Sequence, residues 1–191
     1  RQIVFFAIGF ETTAPATALT ILHALKRGIE NFSIFCNHVR IVPALEALFE
    51  EDGIELDGLI GPGHVSTIIG CRPYAFIPER FGCPVVVTGF EPVDLLQAIA
   101  SLVDQVNEGR AELVNGYRRA VTLDGNPAAL RVMSQFFEER RSFEWRGLGE
   151  LPWSALQLRK PFAAFDAERR FPVTGLRVPE PLDAPCGSVL K

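Results

Sequence analysis

Acidic, hydroxyl and imidazole side chains follow directly after apolar, strand-like stretches of this sequence. In open parallel sheets, ligands bind outside the carboxyl ends of the strands, where the chain turns into helices. Glycines at such turns let the backbone approach a ligand closely, and helix N-termini at the same edge add free N–H groups. We therefore predict a site at this edge, with the candidates Glu11, Thr12, Thr13, Asn37, His38, Glu91 and, after Gly61-Pro-Gly63, His64.

Proton transfer is the chemistry that these residue types favour. Glu11, Glu91 and His64 can carry protons, and at one cleft they could also seat a metal ion or an anion. Structural roles stay open for all of them: Thr12 and Thr13 as helix caps, the glutamates as first-turn acids, and the histidine as a neutral hydrogen-bonding group. The sequence contains no P-loop, GxGxxG, GxSxG or HExxH motif, so the common nucleotide-binding and hydrolase sites are not indicated.

The first two-thirds of the chain alternates strand-like and helix-like segments, which is typical of parallel βαβ units. The apolar residues of the strand-like segments are continuous rather than alternating, which predicts sheets covered on both faces. We therefore predict an α/β fold with parallel sheets covered by helices on both faces, a Rossmann-like three-layer sandwich. The predicted strands are Ile3–Ile8, Phe32–Cys36, Leu56–Ile60 and Pro84–Thr88.

Apolar residues at helical spacing predict which faces of the helices are buried. Thr12 or Thr13 can cap the helix after the first strand, and Pro15 fits only its first turn. Another helix is predicted from Ile41 to Glu50. The predicted buried faces are Ala18, Ile21, Leu22 and Leu25 in the helix after the first strand, and Leu95, Leu96, Ile99, Leu102, Val103 and Val106 in the long helix from Pro92.

The pattern changes after about Gly116. Asn126-Pro127 predicts the start of another helix. Beyond Arg141 the sequence is irregular and rich in Trp, Phe and Pro, and we expect this part to pack across a neighbouring domain. The predicted division is an α/β domain at 1–118 with the three glycine-containing loops, a helix and irregular segment at 119–178, and a linker at 179–191.

Composition narrows the class of protein. With 48% hydrophobic and 22% charged residues, the chain has the composition of a folded globular protein. The net charge of −4 argues against nucleic acid as a partner. No apolar run approaches the roughly 18 residues of a membrane span. The four cysteines are widely separated and form no CxxC pair, and they are too few for a disulfide scaffold. We expect a cytoplasmic protein, and both ends of the sequence suggest a fragment of a longer chain.

Four blocks of the sequence, in order along the chain, resemble the HypD family of hydrogenase formation proteins. The resemblance implies a role in maturing [NiFe] hydrogenases, on a scaffold with two α/β domains and a third domain that holds a [4Fe-4S] cluster. The blocks are Gly9-Phe-Glu-Thr-Thr-Ala-Pro15, Gly61-Pro-Gly-His-Val-Ser-Thr-Ile-Ile-Gly70, Pro84-Val-Val-Val-Thr-Gly-Phe-Glu-Pro-Val-Asp-Leu-Leu96 and Ala163-Ala-Phe-Asp-Ala-Glu168.

The resemblance also implies cofactors and partners. On the scaffold formed with a small HypC-like chaperone, an iron ion acquires cyanide and carbon monoxide ligands, and a HypE-like protein donates the cyanide. The family's CxxC motif would precede Arg1, and most cluster cysteines would follow Lys191, so Cys186 is the only cofactor-binding candidate retained. His64, Glu11, Thr12 and Thr13 are then the predicted site residues, with His64 donating a proton or hydrogen bond to a bound cyanide and Glu11 acting as an acid or supporting base.

Three classes of function remain under comparison. The first is a metal-binding, redox-active assembly scaffold rather than a turnover enzyme. The second is a transferase or hydrolase that acts on a small anionic substrate at the strand-end cleft. The third is a structural interaction protein that docks through the aromatic segment at 141–171. The resemblance favours the first, and it predicts that the isolated fragment is inactive and poorly soluble, with an exposed apolar interface.

Overall fold

The computed structural model describes residues 1–51, 55–145 and 147–173, so the predicted linker and Cys186 lie outside the described residues. Segments of 3₁₀ helix lie at Arg72–Tyr74 and, with a kink at Phe162, at Lys160–Phe165. The strands and helices are, in order, β1 (Ile3–Gly9), α1 (Ala14–Lys26), β2 (Phe32–His38), α2 (Ile41–Glu50), β3 (Leu59–Pro62), α3 (Gly63–Ile69), α4 (Phe76–Phe81), β4 (Val85–Thr88), α5 (Pro92–Asn107), β5 (Leu113–Asn115), α6 (Pro127–Phe136), β6 (Phe137–Trp145), β7 (Gly149–Leu158) and α7 (Ala167–Arg170).

The strands form two parallel sheets and one antiparallel hairpin. β1 pairs with β2, and β3, β4 and β5 form a second sheet in that order. Helices flank both parallel sheets, which confirms the predicted α/β class with parallel sheets. β6 and β7 form the antiparallel hairpin. The prediction of an irregular chain beyond Arg141 is therefore wrong there, because cross-strand pairing stabilises a segment that has no simple alternating pattern.

The first hydrophobic core joins the two ends of the described chain. The buried side of α1 packs with β2 and with α6, β6 and β7, which lie about a hundred residues later in sequence. Two bridges fix this return: Ile34 pairs with Asp166, and Val39 pairs with Ala155. As predicted, α6 begins after Asn126, whose side chain accepts hydrogen bonds from the first-turn N–H groups of the helix.

The second hydrophobic core lies between these ends in sequence. It contains buried residues of α2, α4 and β4, together with the segments that follow α3 and β5. β4 is buried along its whole length, as its run of valines predicts. The second core is therefore formed by residues within about 41–121, and the first core mainly by the segments before and after that range. The domain boundaries at 118 and 178 stay predictions.

Several apolar residues that the sequence predicts to be buried are exposed. Leu25 of α1 is about half exposed, and the apolar residues of β1 other than Ala7 are exposed on both faces of the strand. The predicted buried face of α5 is also wrong in part, because its buried residues are instead Asp94, Ala98 and Gln105. The exposed apolar members of that predicted face are Leu96, Ile99, Val103 and Val106.

Candidate functional site

The loop after β1 requires glycine at its first position. Gly9 has a φ of 128°, in the region that side chains with a Cβ rarely adopt, and a Cβ there would collide with the hydroxyl of Thr13. Thr13 occupies the N-cap position of α1, but its side chain does not cap the helix. Its Oγ1 instead lies 3.1 Å from the carbonyl oxygen of Phe10 and 3.3 Å from that of Ile8. The hydroxyl of Thr13 therefore connects the end of the loop to its start at Ile8 and Phe10.

His38, at the end of β2, is the buried anchor of this loop. It is 1% exposed, its Nδ1 lies 3.3 Å from Oγ1 of Thr13, and its Nε2 lies 2.9 Å from Oγ1 of Thr17. Burial lowers the pKa of its imidazole. In the neutral ring one nitrogen donates and the other accepts, so the two threonine hydroxyls provide one acceptor and one donor to His38. The sequence singled out His38 only as one of several strand-end residues, and its role became visible only through these contacts.

Glu11 is buried rather than open to a cleft. It is 4% exposed, and both of its carboxylate oxygens accept from the backbone N–H of Ile41, at 3.2 and 3.3 Å. That N–H belongs to the first turn of α2, where no helical partner exists. Burial raises the pKa of the Glu11 carboxyl, although these backbone hydrogen bonds and nearby Arg40 oppose the shift. Glu11 thus connects the loop after β1 to the helix that starts the second core.

A buried tyrosine lies against α3, the helix that begins within the Gly-Pro-Gly-His loop. The hydroxyl of Tyr74 lies 3.3 Å from that of Ser66, which donates to the carbonyl of Pro62 at 2.7 Å. Burial raises the pKa of Tyr74, and the charge of Glu11 adds to this shift.

His64 lies at the exposed start of α3, beside the loop that follows β4. Its ring centroid is 4.4 Å from that of Phe90, which is itself largely exposed. The close approach depends on Gly63, because a Cβ at that position would collide with the carbonyl oxygen of Thr88. The imidazole is therefore positioned by an aromatic neighbour but open to a ligand on its other side.

An arginine holds the loop after β4 in place. Arg119 forms two hydrogen bonds to the carboxylate of Asp94, at 2.7 and 2.6 Å, and it lies 3.1 Å from the carboxylate of Glu91. The hydrogen bonds from Arg119 lower the pKa of Asp94. The guanidinium also stacks 4.5 Å above the ring of Tyr117. Glu91 is thus an exposed member of an ion-pair network, and the sequence missed both Arg119 and Asp94 as its partners.

The β6–β7 hairpin borders the loop after β1. The ring of Phe10 lies 6.1 Å from that of Trp145, and Arg40 donates to the carbonyl of Trp153 at 2.7 Å. Trp153 has a φ of 57°, which is unusual for a residue with a large side chain. The last block of the resemblance has a structural role here, because Asp166 caps α7.

The predicted site residues therefore fall into two groups. Glu11 and Thr13 are engaged in backbone contacts, with Thr12 half buried beside them, while His64 faces solvent next to Phe90. His64 is thus the best placed of the predicted residues to meet a ligand directly.

The described cysteines do not fit an iron site. Cys36 is buried, donates to the carbonyl of Leu156, and has a pKa raised by burial to about 11, so its thiol stays protonated. Burial also raises the pKa values of Cys71 and Cys83. Within 1–51, 55–145 and 147–173, no cluster of three or more His, Cys, Asp or Glu side chains is arranged to hold a metal ion.

Comparison with known proteins identifies the family of this chain. The family model described as "HypD: Hydrogenase formation hypA family" matches residues 1–191. The chain belongs to the HypD family.

Curated relatives support this assignment. Hydrogenase maturation factor HypD2 of Bradyrhizobium diazoefficiens is 52% identical over 197 residues, which cover 100% of this chain and 52% of the relative. Hydrogenase expression/formation protein HupD of Azotobacter chroococcum is 55% identical, over 92% of this chain and 48% of the relative. Hydrogenase maturation factor HypD of Escherichia coli is 41% identical, over 100% and 51%. The chain spans about half the length of the curated relatives it matches.

None of the helices in the described part of the chain has the length and apolarity needed to cross a membrane.

Proposed function

We propose that the protein containing this chain is a [NiFe] hydrogenase maturation factor that serves, with a small HypC-like partner, as the scaffold on which the Fe(CN)₂CO centre is assembled. The observation that carries this proposal is the match to the HypD family along the whole chain. The relatives named as hydrogenase maturation factors support it. A HypE-like protein would deliver the cyanide, and the full protein would carry a [4Fe-4S] cluster for redox chemistry.

In this proposal the iron ion is the substrate, because it acquires its ligands on the scaffold. Its thiolate ligands come from outside the described residues. Low-spin iron with cyanide and carbon monoxide favours soft sulfur ligands, but the described thiols are buried and protonated. This chain would instead supply the wall of the assembly cleft. The cytoplasm is the expected location, because maturation there would precede any export of the finished enzyme.

His64 is the residue that we assign to direct contact with the bound ligands. It is exposed, and Phe90 fixes one side of its ring, so its free nitrogen can donate a hydrogen bond to a cyanide nitrogen. Glu11 and Thr13 act indirectly, by keeping the neighbouring loop and the start of α2 in place. Thr12 is the remaining hydroxyl of this loop that could orient a ligand.

Infrared spectroscopy tests the scaffold. The full-length protein would be purified without oxygen together with its small partner, and stretching bands of iron-bound cyanide and carbon monoxide are expected. An iron-containing complex without these bands would refute the assembly role. Saturable turnover of a small anionic substrate by the protein alone would favour the transferase or hydrolase alternative instead.

A His64→Ala variant of the full-length protein tests the role of the histidine. We expect shifted cyanide bands and reduced hydrogenase maturation, because one hydrogen bond to the ligand is lost. His23→Ala is the matched control, since His23 is an exposed histidine on α1. If His64→Ala left both the bands and the maturation unchanged, the assignment of His64 would be wrong while the scaffold role would stand.

A further inference from the structure

The outward face of α5 carries a continuous stripe of exposed apolar side chains. Their exposed fractions range from 44% for Val106 to 67% for Leu96. The residues follow each other at intervals of three or four, so they line one side of the helix. Phe90 extends the stripe to the ring of His64. The members of this α5 stripe are Val93, Leu96, Ile99, Val103 and Val106.

The composition of α5 is that of an interior helix. Between Pro92 and Asn107 there is no lysine or arginine. Asp94 is buried and paired with Arg119, so Asp104 is the only charged side chain on the exposed part of the helix. A surface helix normally has a charged outer face, whereas a helix that is apolar on opposite sides is covered on both.

The spacing of the stripe specifies the kind of element that fits it. Apolar side chains spaced three or four residues apart, as in this stripe, form a seam that a second helix meets when its side chains fit between them. Helices joined in this way cross at about 20° with their axes about 8–10 Å apart. The sixteen residues of α5 give such a partner about four turns of contact.

We propose that a helix from the half of the polypeptide that lies outside residues 1–191 packs along the α5 stripe. The curated relatives are about twice as long as this chain, so a full-length protein of their size would contain enough further chain to supply such a helix. The lack of charge is typical of permanent contacts, because transient interfaces are about as polar as the rest of a protein surface.

Strand β1 is a second surface on which apolar side chains are exposed. Ile3, Val4, Phe5, Phe6 and Ile8 of β1 are all about half exposed, on both faces of the strand, and within the described residues β1 pairs only with β2. An open, apolar strand edge promotes aggregation unless other chain covers it. Two independent surfaces thus indicate that the remaining half of the polypeptide packs against this one.

The proposal goes beyond the maturation role and does not depend on it. A helix on the α5 stripe would end beside Phe90 and His64, so residues from the other half of the polypeptide would border the exposed imidazole. The surface around His64 would therefore be formed by residues from both halves of the polypeptide.

Thiol labelling of the full-length protein tests this packing. Ile99→Cys places a thiol in the stripe, and Gln97→Cys places one on the same helix at its edge, as a matched control. Both variants would be treated with a maleimide under native conditions, and the modified peptide would be measured by mass spectrometry. We expect Ile99→Cys to react more slowly than Gln97→Cys by on the order of tenfold or more, and both to react alike in denaturant.

The other outcomes overturn the proposal in distinct ways. Equal native rates in the monomeric protein would show that the stripe is free. Protection that grows with protein concentration would identify a second copy as the occupant, and protection that appears only after a purified maturation partner is added would identify that partner. If Ile99→Cys does not fold, Val103→Cys probes the next turn of the same stripe.

Discussion

The contact between Glu11 and α2 makes the clearest prediction about stability. In Glu11→Ala, the N–H of Ile41 loses the acceptor that it has in a poorly hydrated position. A buried donor without a partner costs about 1–3 kcal/mol, which corresponds to about 5- to 150-fold in the opening equilibrium of that amide. Hydrogen exchange of the full-length protein, resolved at the start of α2, should therefore accelerate by this factor.

Glu11→Gln separates the hydrogen bond from the charge. An amide oxygen can still accept from Ile41, so exchange there should stay within about threefold of the natural protein. The folded-state pKa of Glu11 is raised above its ordinary value near 4.5, so its contribution to stability is full below that value and is lost as the pH rises through the folded pKa. Glu11→Gln should therefore gain stability relative to the natural protein as the pH rises.

Glu30→Ala, at an exposed glutamate after α1, is the control for both variants. It should change neither the exchange at Ile41 nor the pH dependence. Unchanged exchange at Ile41 in Glu11→Ala would refute the reasoning, because it would show that the carboxylate does not protect that amide.

Three further predictions concern the loops after β1 and β4. Gly9→Ala should destabilise the full-length protein by about 1–3 kcal/mol in thermal denaturation, because it combines a left-handed φ with a collision at Thr13. His38→Phe should also destabilise it, and by more at pH 8 than at pH 5: the folded pKa of His38 lies below 6.5, so its stabilising contribution is full above 6.5 and is lost as the pH falls through the folded pKa. Arg119→Gln should raise the pKa of Asp94 toward its ordinary 3.8, as measured by NMR titration of the carboxyl carbon.

Each of these predictions has a matched control. Gly28 also has a positive φ, but a Cβ there meets open space, so Gly28→Ala should cost less than Gly9→Ala. If Gly9→Ala and Gly28→Ala destabilised the protein equally, the collision of a Cβ at position 9 with Thr13 would not explain the effect. A His38→Phe effect that did not vary with pH would contradict the neutral buried imidazole. Arg118→Gln, at an exposed neighbouring arginine, should leave the pKa of Asp94 unchanged. If Arg118→Gln shifted this pKa as much as Arg119→Gln does, the cause would be the loss of a positive charge and not the loss of the Arg119 hydrogen bonds.

The sequence predicted those elements whose local pattern carries the information. The valines of β4, the Asn126-Pro127 start of α6 and the alternation of strands with helices are all found in the structure. The β6–β7 hairpin was missed because its stability comes from pairing across the turn and from contact with β2. The periodicity of α5 also predicted an apolar face on this helix, but it did not indicate which part of the protein covers that face.

The candidate site was predictable as a set of loops but not as a set of contacts. Gly9 and Gly63 were recognisable as turn residues, and the structure shows the collisions that make them necessary. The partners of Glu11 and Glu91 lie far away in sequence, at Ile41 and Arg119, and no local pattern points to them. His38 is indistinguishable in sequence from an ordinary buried histidine.

The order of the two cores along the chain has a consequence for how the protein is made. Synthesis releases β1, α1 and β2 first, yet the elements that complete their core, α6 and β7, emerge only after the whole second core. At about 5–20 residues per second, the first strands wait for several seconds. The second core can close during this interval, while the apolar sides of α1 and β2 stay uncovered on the ribosome. A chaperone that captures apolar segments would meet α1 and β2 before α6 and β7 have been made.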